Sequence, residues 1–302
     1  MNKCKGCGIK LQSKDSNLPG YTPNIDNKLC QRCFKITNYN YHEIESKYLD
    51  NDIICESINN KKAFTFFLCD FLALNQNTID LYNKIKYPKI FVITKSDIIS
   101  NNIKMDLLKE RIKKVYNLDD LLFISIKNGY GKKEIFEYIN TYKKVLFAGP
   151  SSSGKSSLIN YLFNYELTVS EYKNTTQDFI SLKIDDIIVY DAPGFNFDYL
   201  KEYKVSGFVN ANTVVLKKGY ELVIDDIVIS SNENINITIY LPKVFRYVTR
   251  KIRNENNNIL KIDDNTDLTL NNIGFIYFKN KCEIKINKTD KTSIRNSIVG
   301  GK

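Results

Sequence analysis

Apolar runs alternate with amphipathic segments through the middle of the chain. Continuous apolar stretches at residues 63–71 (AFTFFLCDF), 89–94 (KIFVIT), 121–126 (LLFISI) and 145–149 (VLFAG) predict strands that are buried on both faces. Between them lie segments with helical spacing, such as IKMDLLKERIKKVY at 103–116. Alternating buried strands and helices predict an α/β fold, with a mostly parallel sheet that carries helices on both faces. Such a sheet binds its ligands at the carboxyl ends of its strands.

The last third of the chain has a different pattern. Short stretches of alternating apolar and polar residues occupy 212–229, 236–249 and 268–287. A period of two is typical of strands with one buried face, so these residues predict a small antiparallel β domain.

Four of the seven cysteines form two close pairs near the start, Cys4-x-x-Cys7 and Cys30-x-x-Cys33. This spacing predicts a tetrahedral zinc site, and the metal would supply the folding energy that so small a segment lacks. Disulfides are the alternative, but they are rare in a cytosolic chain. Basic and aromatic residues around the pairs favour contact with RNA or docking to a protein.

A glycine-rich stretch with the spacing Gly149-x-x-x-x-Gly154-Lys155-Ser156 follows the strand at 145–149 and precedes a helical segment. This is the spacing of a phosphate-binding loop. The backbone N–H groups of 151–156 would surround phosphate oxygens, Lys155 would reach the terminal phosphates, and the Ser156 hydroxyl would bind Mg²⁺. An ordinary Gly/Ser turn is the alternative.

A second polar motif, Asp191-x-x-Gly194, ends the later strand IIVYDAPG. The Asp191 carboxylate could orient Mg²⁺ through water, and the Gly194 N–H could bond a terminal phosphate. Between the two motifs stand Thr175 and Thr176, one of whose hydroxyls could complete the magnesium shell.

A third set of motifs indicates which base is bound. Thr94-Lys95-x-Asp97 ends one strand, and Ser125-Ile126-Lys127 ends another. A carboxylate accepts from the two adjacent donors on the Watson–Crick edge of guanine, which adenine lacks, so Asp97 would select GTP. A backbone N–H of the second motif could meet the guanine carbonyl oxygen.

Charge is distributed unevenly along the chain. The net charge is +10, and the 201–302 segment holds seventeen basic residues against eleven acidic ones, whereas the middle is nearly neutral. Basic ends around a neutral middle favour contact with a polyanion, although a solvated basic surface is the alternative. No apolar run is long enough to span a bilayer and no signal peptide is visible, so a cytoplasmic protein is expected.

The motif order is permuted, because the base-reading motifs precede the phosphate loop. With the N-terminal CKGC…PGYTP…CQRCF, this order resembles the YqeH family of circularly permuted GTPases, over nearly the whole chain. The resemblance implies a GTP-hydrolysing factor for maturation of the small ribosomal subunit that holds ribosomal RNA through its ends. It also implies that Thr176 is the switch residue.

Several positions depart from that family's pattern. Thr94 replaces an Asn of the base-reading motif, and Ile126 replaces an Ala. Ser152 stands where the family commonly has the Asn that is tied to potassium-stimulated hydrolysis, which argues against potassium dependence. A separate comparison concerns Phe195, which follows Gly194 where Ras-like enzymes have a Gln that positions water. Phe195 cannot orient a water molecule, so hydrolysis is expected to be slow.

The sequence therefore predicts a zinc finger at 1–45, a circularly permuted P-loop GTPase domain at 46–204 and a basic, β-rich, RNA-binding domain at 205–302. The predicted catalytic residues are Lys155, Thr176 and Gly194. The predicted nucleotide-binding residues are Thr94, Lys95, Asp97, Ser125, Ile126, Lys127, Ser151, Ser152, Ser153, Gly154, Lys155, Ser156, Ser157, Asp191 and Gly194. The predicted magnesium ligands are Ser156, Thr176 and Asp191, and the predicted zinc ligands are Cys4, Cys7, Cys30 and Cys33.

The expected cofactors are GTP or GDP, Mg²⁺ and Zn²⁺, and the expected partners are the small ribosomal subunit and its RNA, with no membrane and a monomeric chain. One alternative is a docking module for RNA or the ribosome that binds GTP and hydrolyses little of it. Another is an enzyme that uses ATP through the same phosphate-binding loop. Asp97 distinguishes this hypothesis from those in which GTP binds, because its carboxylate would select guanine.

Overall fold

Six strands in the middle of the chain form one sheet in the computed structural model. The structure describes residues 2–6, 8–16, 20–31, 33–35, 50–100, 103–164, 179–197, 207–253, 258–270 and 273–300. The strands are β1 (Phe64–Asp70), β2 (Lys89–Thr94), β3 (Leu121–Phe123), β4 (Lys144–Ala148), β5 (Ile180–Ile184) and β6 (Ile187–Asp191). Their order is β3-β2-β1-β4-β6-β5. β1 pairs in parallel with β2 and β4, β4 pairs in parallel with β6, and β5 runs antiparallel to its neighbour β6. The predicted mostly parallel sheet is confirmed.

Five helices of this region are described: α1 (Asn51–Lys61), α2 (Gln76–Lys84), α3 (Met105–Tyr116), α4 (Lys132–Tyr142) and α5 (Lys155–Phe163). A short 3-10 turn at Phe71–Ala73 follows β1 directly, and another at Ser96–Ile98 follows β2 after one residue, Lys95. The predicted helical segments at 103–116 and after the phosphate loop are α3 and α5. The helix α1, in which Ile54, Cys55 and Ile58 are the buried residues, was not predicted.

A single residue, Lys143, separates α4 from β4. It adopts a left-handed conformation, with a φ of 55°, which reverses the chain at once. This join closes what would be the two ends of an unpermuted chain, and it places the phosphate loop after the strands that carry the predicted base-reading motifs.

The core of the sheet consists of aromatic and branched side chains. Phe66, Val92 and Phe147 are completely buried in it, and the Phe66 and Phe147 rings stack with centroids 5.0 Å apart. Burial on both faces explains why these strands are continuous apolar runs in the sequence.

Two five-stranded antiparallel sheets form the end of the chain. One has the order β16-β13-β14-β10-β7 and the other β11-β8-β9-β15-β12. The strands are β7 (Val209–Leu216), β8 (Tyr220–Ile224), β9 (Ile227–Ser231), β10 (Ile235–Pro242), β11 (Tyr247–Lys251), β12 (Asn258–Ile262), β13 (Thr266–Leu270), β14 (Gly274–Phe278), β15 (Cys282–Ile286) and β16 (Thr292–Asn296). Side chains from both sheets share one core, which includes Leu222, Ile239 and Ile284. The predicted antiparallel β structure is confirmed.

The chain divides into two compact units that alternate along the sequence. The first consists of Met1–Phe71, Asp80–Ser96 and Leu122–Asp198, and the second of Leu72–Ile79, Asp97–Leu121 and Tyr199–Lys302. The boundaries predicted near residues 45 and 204 both lie outside the described residues.

Arg295 joins the β sandwich to the other segments of the second unit. Its guanidinium pairs with Asp267, donates to the Leu74 carbonyl oxygen at 2.8 Å and lies 3.4 Å from the Tyr116 hydroxyl on α3. Arg111, also on α3, donates to the Val299 carbonyl oxygen at 2.6 Å. The sandwich is therefore fixed to α3 and to the segment after β1.

Among the described residues, no helix has the length and apolar character needed to cross a bilayer.

Candidate nucleotide-binding site

The phosphate loop spans the gap between the end of β4 and the start of α5. Gly149, Ser152 and Gly154 have φ values of 142°, 62° and 90°. Gly149 cannot be replaced without strain, because a Cβ atom there would lie 2.1 Å from the Leu68 carbonyl oxygen of β1. The loop therefore has the positive φ angles that are typical of a phosphate-binding loop. Two of its N–H groups bond within the protein: Ser151 donates to the Phe195 carbonyl oxygen and Ser153 to the Pro150 carbonyl oxygen.

Lys155 is the first residue of α5 and is 6% exposed. Its Nζ donates to the carbonyl oxygens of Gly149 and Pro150, at 2.9 and 2.8 Å. Burial lowers the pKa of Lys155 to about 8, and the charge of Asp191 opposes this shift. A buried ammonium group of this kind is stabilised by any anion that enters the loop.

Ser156 and Asp191 meet at the carboxyl ends of β4 and β6. The Ser156 hydroxyl donates to Oδ2 of Asp191 at 2.7 Å, and Asp191 is completely buried. A hydroxyl and a carboxylate oxygen are ligands that Mg²⁺ prefers. The third predicted magnesium ligand, Thr176, lies outside the described residues.

Ser153 provides a test of whether the loop fits a phosphate. Its side chain is 2% exposed, and its hydroxyl has no hydrogen-bond partner among the described residues. An unsatisfied buried hydroxyl costs about 1–3 kcal/mol, and such groups are concentrated at functional sites. Together with the buried ammonium group of Lys155, this orphaned hydroxyl fits an anionic ligand in the loop.

Gly194 lies directly against the phosphate loop. A Cβ atom at Gly194 would lie 2.5 Å from the Ser151 Oγ and 3.0 Å from the Ser151 nitrogen. The next residue, Phe195, donates its N–H to the Gly149 carbonyl oxygen at 3.2 Å and accepts from the Ser151 N–H at 2.9 Å. Its ring is completely buried and stacks on Phe67. The Phe195 side chain therefore belongs to the core and does not reach the phosphate site.

The end of β2 is tied to the phosphate loop by Thr94. Its hydroxyl donates to the Ser153 carbonyl oxygen at 2.9 Å, and the Cys69 carbonyl oxygen lies 3.3 Å away. Lys95, with a φ of 55°, pairs with Asp70 at the end of β1 at 2.5 Å. Asp70 was not among the predicted residues, although its place at a strand end was visible in the sequence.

The Ser96–Ile98 turn and the loop after β3 carry the predicted guanine contacts. The Ser96 N–H donates to the Ile124 carbonyl oxygen at 3.1 Å, which brings the start of the turn beside that loop. There the buried Ser125 hydroxyl accepts from the Lys127 N–H at 3.2 Å, while the Ile126 side chain is exposed. Asp97 begins a segment of the second unit, and its position opposite Ser125–Lys127 stays a prediction.

Three of the four predicted zinc ligands lie together. The Sγ atoms of Cys4, Cys30 and Cys33 all lie within 4.8 Å of one another, and the three side chains are buried. The Cys30 N–H donates to the Cys4 Sγ at 3.1 Å, and the Cys33 N–H points to the Cys30 Sγ at 3.5 Å. None of the described cysteines forms a disulfide, and Cys7 lies outside the described residues. Backbone N–H groups aimed at clustered sulfurs stabilise thiolates, so this donor set fits a metal ion such as zinc.

Comparison with known protein families supports this arrangement. Residues 35–199 match the family model described as RsgA GTPase, and residues 144–271 match a model described as 50S ribosome-binding GTPase.

Individual relatives match shorter parts of their own chains. A Bacillus subtilis (strain 168) protein named YqeH is 29% identical over 231 residues, which are 68% of this chain and 62% of that protein. The small ribosomal subunit biogenesis GTPase RsgA of Clostridium beijerinckii is 33% identical over 131 residues, or 40% of this chain and 42% of the relative. This chain thus spans less than two thirds of the length of these curated relatives.

Among solved structures, YjeQ from Thermotoga maritima matches 44% of this chain and 48% of its own at 30% sequence identity, with a TM-score of 0.34. The family and sequence matches confirm the resemblance to circularly permuted GTPases of the YqeH type.

Proposed function

Because this chain belongs to the RsgA GTPase family, whose model matches more than half of it, we propose that it binds and hydrolyses GTP as an assembly factor for the small ribosomal subunit. The observation that carries the proposal is the convergence of Lys155, Ser156 and Asp191 at the ends of two neighbouring parallel strands. The ribosomal role is taken from the names of the RsgA relatives.

The phosphates of GTP would lie along the loop from Ser151 to Ser157. There the N–H groups at the start of α5 and the Lys155 ammonium would bind the phosphate oxygens. The Ser156 hydroxyl and the Asp191 carboxylate would hold Mg²⁺, together with Thr176. Bound Mg²⁺ neutralises charge on the phosphates. Gly194 lies against the loop at Ser151, where its N–H would bond the terminal phosphate of GTP.

The guanine base would lie at the ends of β2 and β3. Asp97 would accept from its two Watson–Crick donors, and the backbone of Ser125–Lys127 would meet its carbonyl oxygen. Thr94 supports this function although it replaces the family's Asn, because its hydroxyl still ties the base-reading strand to the Ser153 carbonyl oxygen of the phosphate loop.

Hydrolysis by the isolated protein would be slow. An unaided GTPase of this class turns over at about 10⁻⁴ per second, even with a side chain that can orient water. At the corresponding position Phe195 is buried against Phe67 and offers no polar group. The ribosome would then supply or arrange the missing group. Ser152 replaces the residue associated with potassium, so hydrolysis would not depend on potassium.

Both ends of the chain would contact ribosomal RNA. The cysteine cluster, holding zinc, would give the N-terminal segment its fold, and the +6 excess of residues 201–302 would supply the attraction to phosphates. The protein would act in the cytoplasm as a monomer bound to the small subunit. Its affinity for RNA would differ between the GTP-bound and GDP-bound states.

A second candidate is a GTP-binding docking module that hydrolyses little GTP. The burial of Phe195 favours it, because the catalytic water would have no side chain to orient it.

Single-turnover GTP hydrolysis separates the two candidates. The rate is measured for the protein alone, with small ribosomal subunits, and with large subunits as the matched control. We expect small subunits to raise the rate by at least about 100-fold, a smaller gain than the one a GTPase-activating protein gives. A rate of several per second without ribosomes, or equal stimulation by both subunits, would contradict the proposal. Nucleotide-dependent binding to small subunits without stimulated hydrolysis would favour the docking module.

A further inference from the structure

The side chain of Asn51, the first residue of α1, makes two hydrogen bonds to the backbone of one distant residue. Its amide nitrogen donates to the Asn196 carbonyl oxygen at 2.8 Å, and its amide oxygen accepts from the Asn196 N–H at 2.9 Å. Both bonds are partly buried. A carboxamide carries an NH₂ donor group and an oxygen acceptor side by side, so it can pair with both backbone polar groups of a single residue, as a neighbouring strand would.

Asn196 stands two residues after Gly194, on the segment that lies against the phosphate loop. On one side, Phe195 fixes this segment through its two backbone bonds to Gly149 and Ser151 and through its ring on Phe67. On the other side, Asn51 fixes it to α1. The segment is therefore bonded on both sides within two residues of Gly194.

The contact between Asn51 and Asn196 lies where the circular permutation interrupts the chain. The short join at Lys143 closes the ends of an unpermuted chain, so the cut must fall elsewhere, between the segment after Gly194 and α1. In unpermuted order, β6 and Gly194 would lead directly into α1 and then β1. The other end of α1 lies beside the strands β5 and β6. There the Lys61 ammonium is 5.1 Å from the ring centroid of Phe179, just before β5, and 5.2 Å from that of Tyr190 on β6.

We infer that Asn51 is a positioning residue for the GTPase reaction: it replaces the lost peptide connection with two hydrogen bonds and holds Gly194 in place to contact the terminal phosphate of GTP. This inference rests on the proposed function. The terminal phosphate is the group that orders such segments in GTPases, and a diphosphate lacks it. Asn51 therefore contributes to the binding of GTP and to hydrolysis, but not to the binding of GDP.

The same helix provides a matched control. Asn59 also bonds one backbone donor and one backbone acceptor through its amide: it donates to the Lys84 carbonyl oxygen at 3.1 Å and accepts from the Lys86 N–H at 2.8 Å. These bonds join α1 to the end of α2 and not to the segment after Gly194. Asn51→Ala and Asn59→Ala each remove one such pair from one helix, but only Asn51→Ala removes the attachment of the Gly194 segment to α1.

The test compares nucleotide binding by the full chain and by the two variants. Fluorescent GDP and a fluorescent, non-hydrolysable GTP analogue are titrated separately with Mg²⁺ present, and single-turnover GTP hydrolysis is measured in parallel. Asn51→Ala should weaken binding of the analogue about tenfold, the effect of losing two partly buried hydrogen bonds. It should change the affinity for GDP by no more than about twofold. It should lower the hydrolysis rate at saturating GTP by about tenfold, as it lowers the affinity for the analogue. Asn59→Ala should change neither affinity by more than about twofold.

Asn51→Asp gives a second, independent measurement. It keeps the acceptor for the Asn196 N–H but places a carboxylate against the Asn196 carbonyl oxygen, so it should behave like Asn51→Ala. Equal effects of Asn51→Ala on the two nucleotides, or a loss of analogue binding in Asn59→Ala that matches it, would overturn the inference. If the unaltered protein binds neither guanine nucleotide, the proposed function itself fails. If it binds both and Asn51→Ala leaves their ratio unchanged, only this inference fails.

Discussion

The Lys155 side chain is almost completely buried, so its ammonium group has little contact with solvent. Burial lowers its pKa to about 8, and the carbonyl oxygens of Gly149 and Pro150 are the hydrogen-bond acceptors of its ammonium group. A bound phosphate favours the charged form, so the pKa of Lys155 must be higher in the nucleotide complex than in the free protein. Binding is therefore linked to proton uptake at pH values between the pKa of Lys155 in the free protein and its higher pKa in the complex.

From this linkage we predict that GDP affinity is constant below about pH 8 and falls above it, by up to about tenfold per pH unit. The sign follows because the free protein loses the Lys155 proton first, and binding must then restore it. Calorimetry at about pH 8.5 in two buffers of different ionisation enthalpy should show uptake of part of a proton. Proton release on binding, or an affinity that rises above that pH, would contradict this account of Lys155.

The N-terminal cysteine segment is the element whose fold depends most on a bound metal. Its described core consists of Cys4, Leu11, Cys30 and Cys33, with Ile9 and Leu29 packed against it. So few apolar side chains cannot offset the chain entropy lost on folding, which leaves the metal to supply the difference.

We predict that the purified protein carries one zinc ion per chain, and that Cys33→Ser lowers the zinc content to less than about half. Cys282→Ser is the matched control, because burial raises the pKa of that thiol to about 11 and it lies outside the cluster. Elemental analysis by mass spectrometry gives the zinc content. Equal zinc in both variants would contradict the site.

The strands that could be predicted from the sequence are those whose burial leaves a pattern. The central strands β1, β2 and β4 are buried on both faces and appear as unbroken apolar runs. The strands β12 and β16 were missed, and both lie at the edges of their sheets, with one buried residue in each. An edge strand has fewer neighbours, so its sequence carries less apolar alternation.

At the site, the motif residues on adjacent strands could be predicted because parallel strands bring their carboxyl ends to one edge. Asn51 could not, since its partner is 145 residues away and nothing local distinguishes it from other asparagines. The buried position of Phe195 was also not visible in the sequence, which indicated only that its side chain cannot orient water.

At the scale of the whole molecule, Arg295 links the β sandwich to the segment of the second unit that begins with Asp97. Its guanidinium, 9% exposed as a residue, lies 4.9 Å from the Phe275 ring and pairs with the fully buried Asp267. Burial raises the pKa of Asp267, and the charge of Arg295 opposes that shift. The pair therefore holds two buried charges that depend on each other.

We predict that Arg295→Met lowers the free energy of unfolding by about 3–5 kcal/mol at neutral pH, because it leaves the Asp267 carboxylate buried and unpaired. The loss should shrink at about pH 5, where that carboxyl takes up a proton more readily. Lys281→Met, which breaks the exposed pair with Asp263, should cost less than about 1 kcal/mol. Urea denaturation measures both, and equal costs would contradict the role of Arg295.

The central claim is that one guanine nucleotide is bound by a phosphate loop at residues 149–156 and by Asp97, which precedes that loop in the chain. The most direct test compares GDP and xanthosine diphosphate binding in the unaltered protein, in Asp97→Asn and in the control Asp106→Asn, whose exposed carboxylate lies on α3. We predict that Asp97→Asn shifts preference from guanosine towards xanthosine by at least about tenfold, because two hydrogen bonds to a charged acceptor are lost, and that Asp106→Asn leaves it unchanged. An unchanged preference in Asp97→Asn would contradict the account.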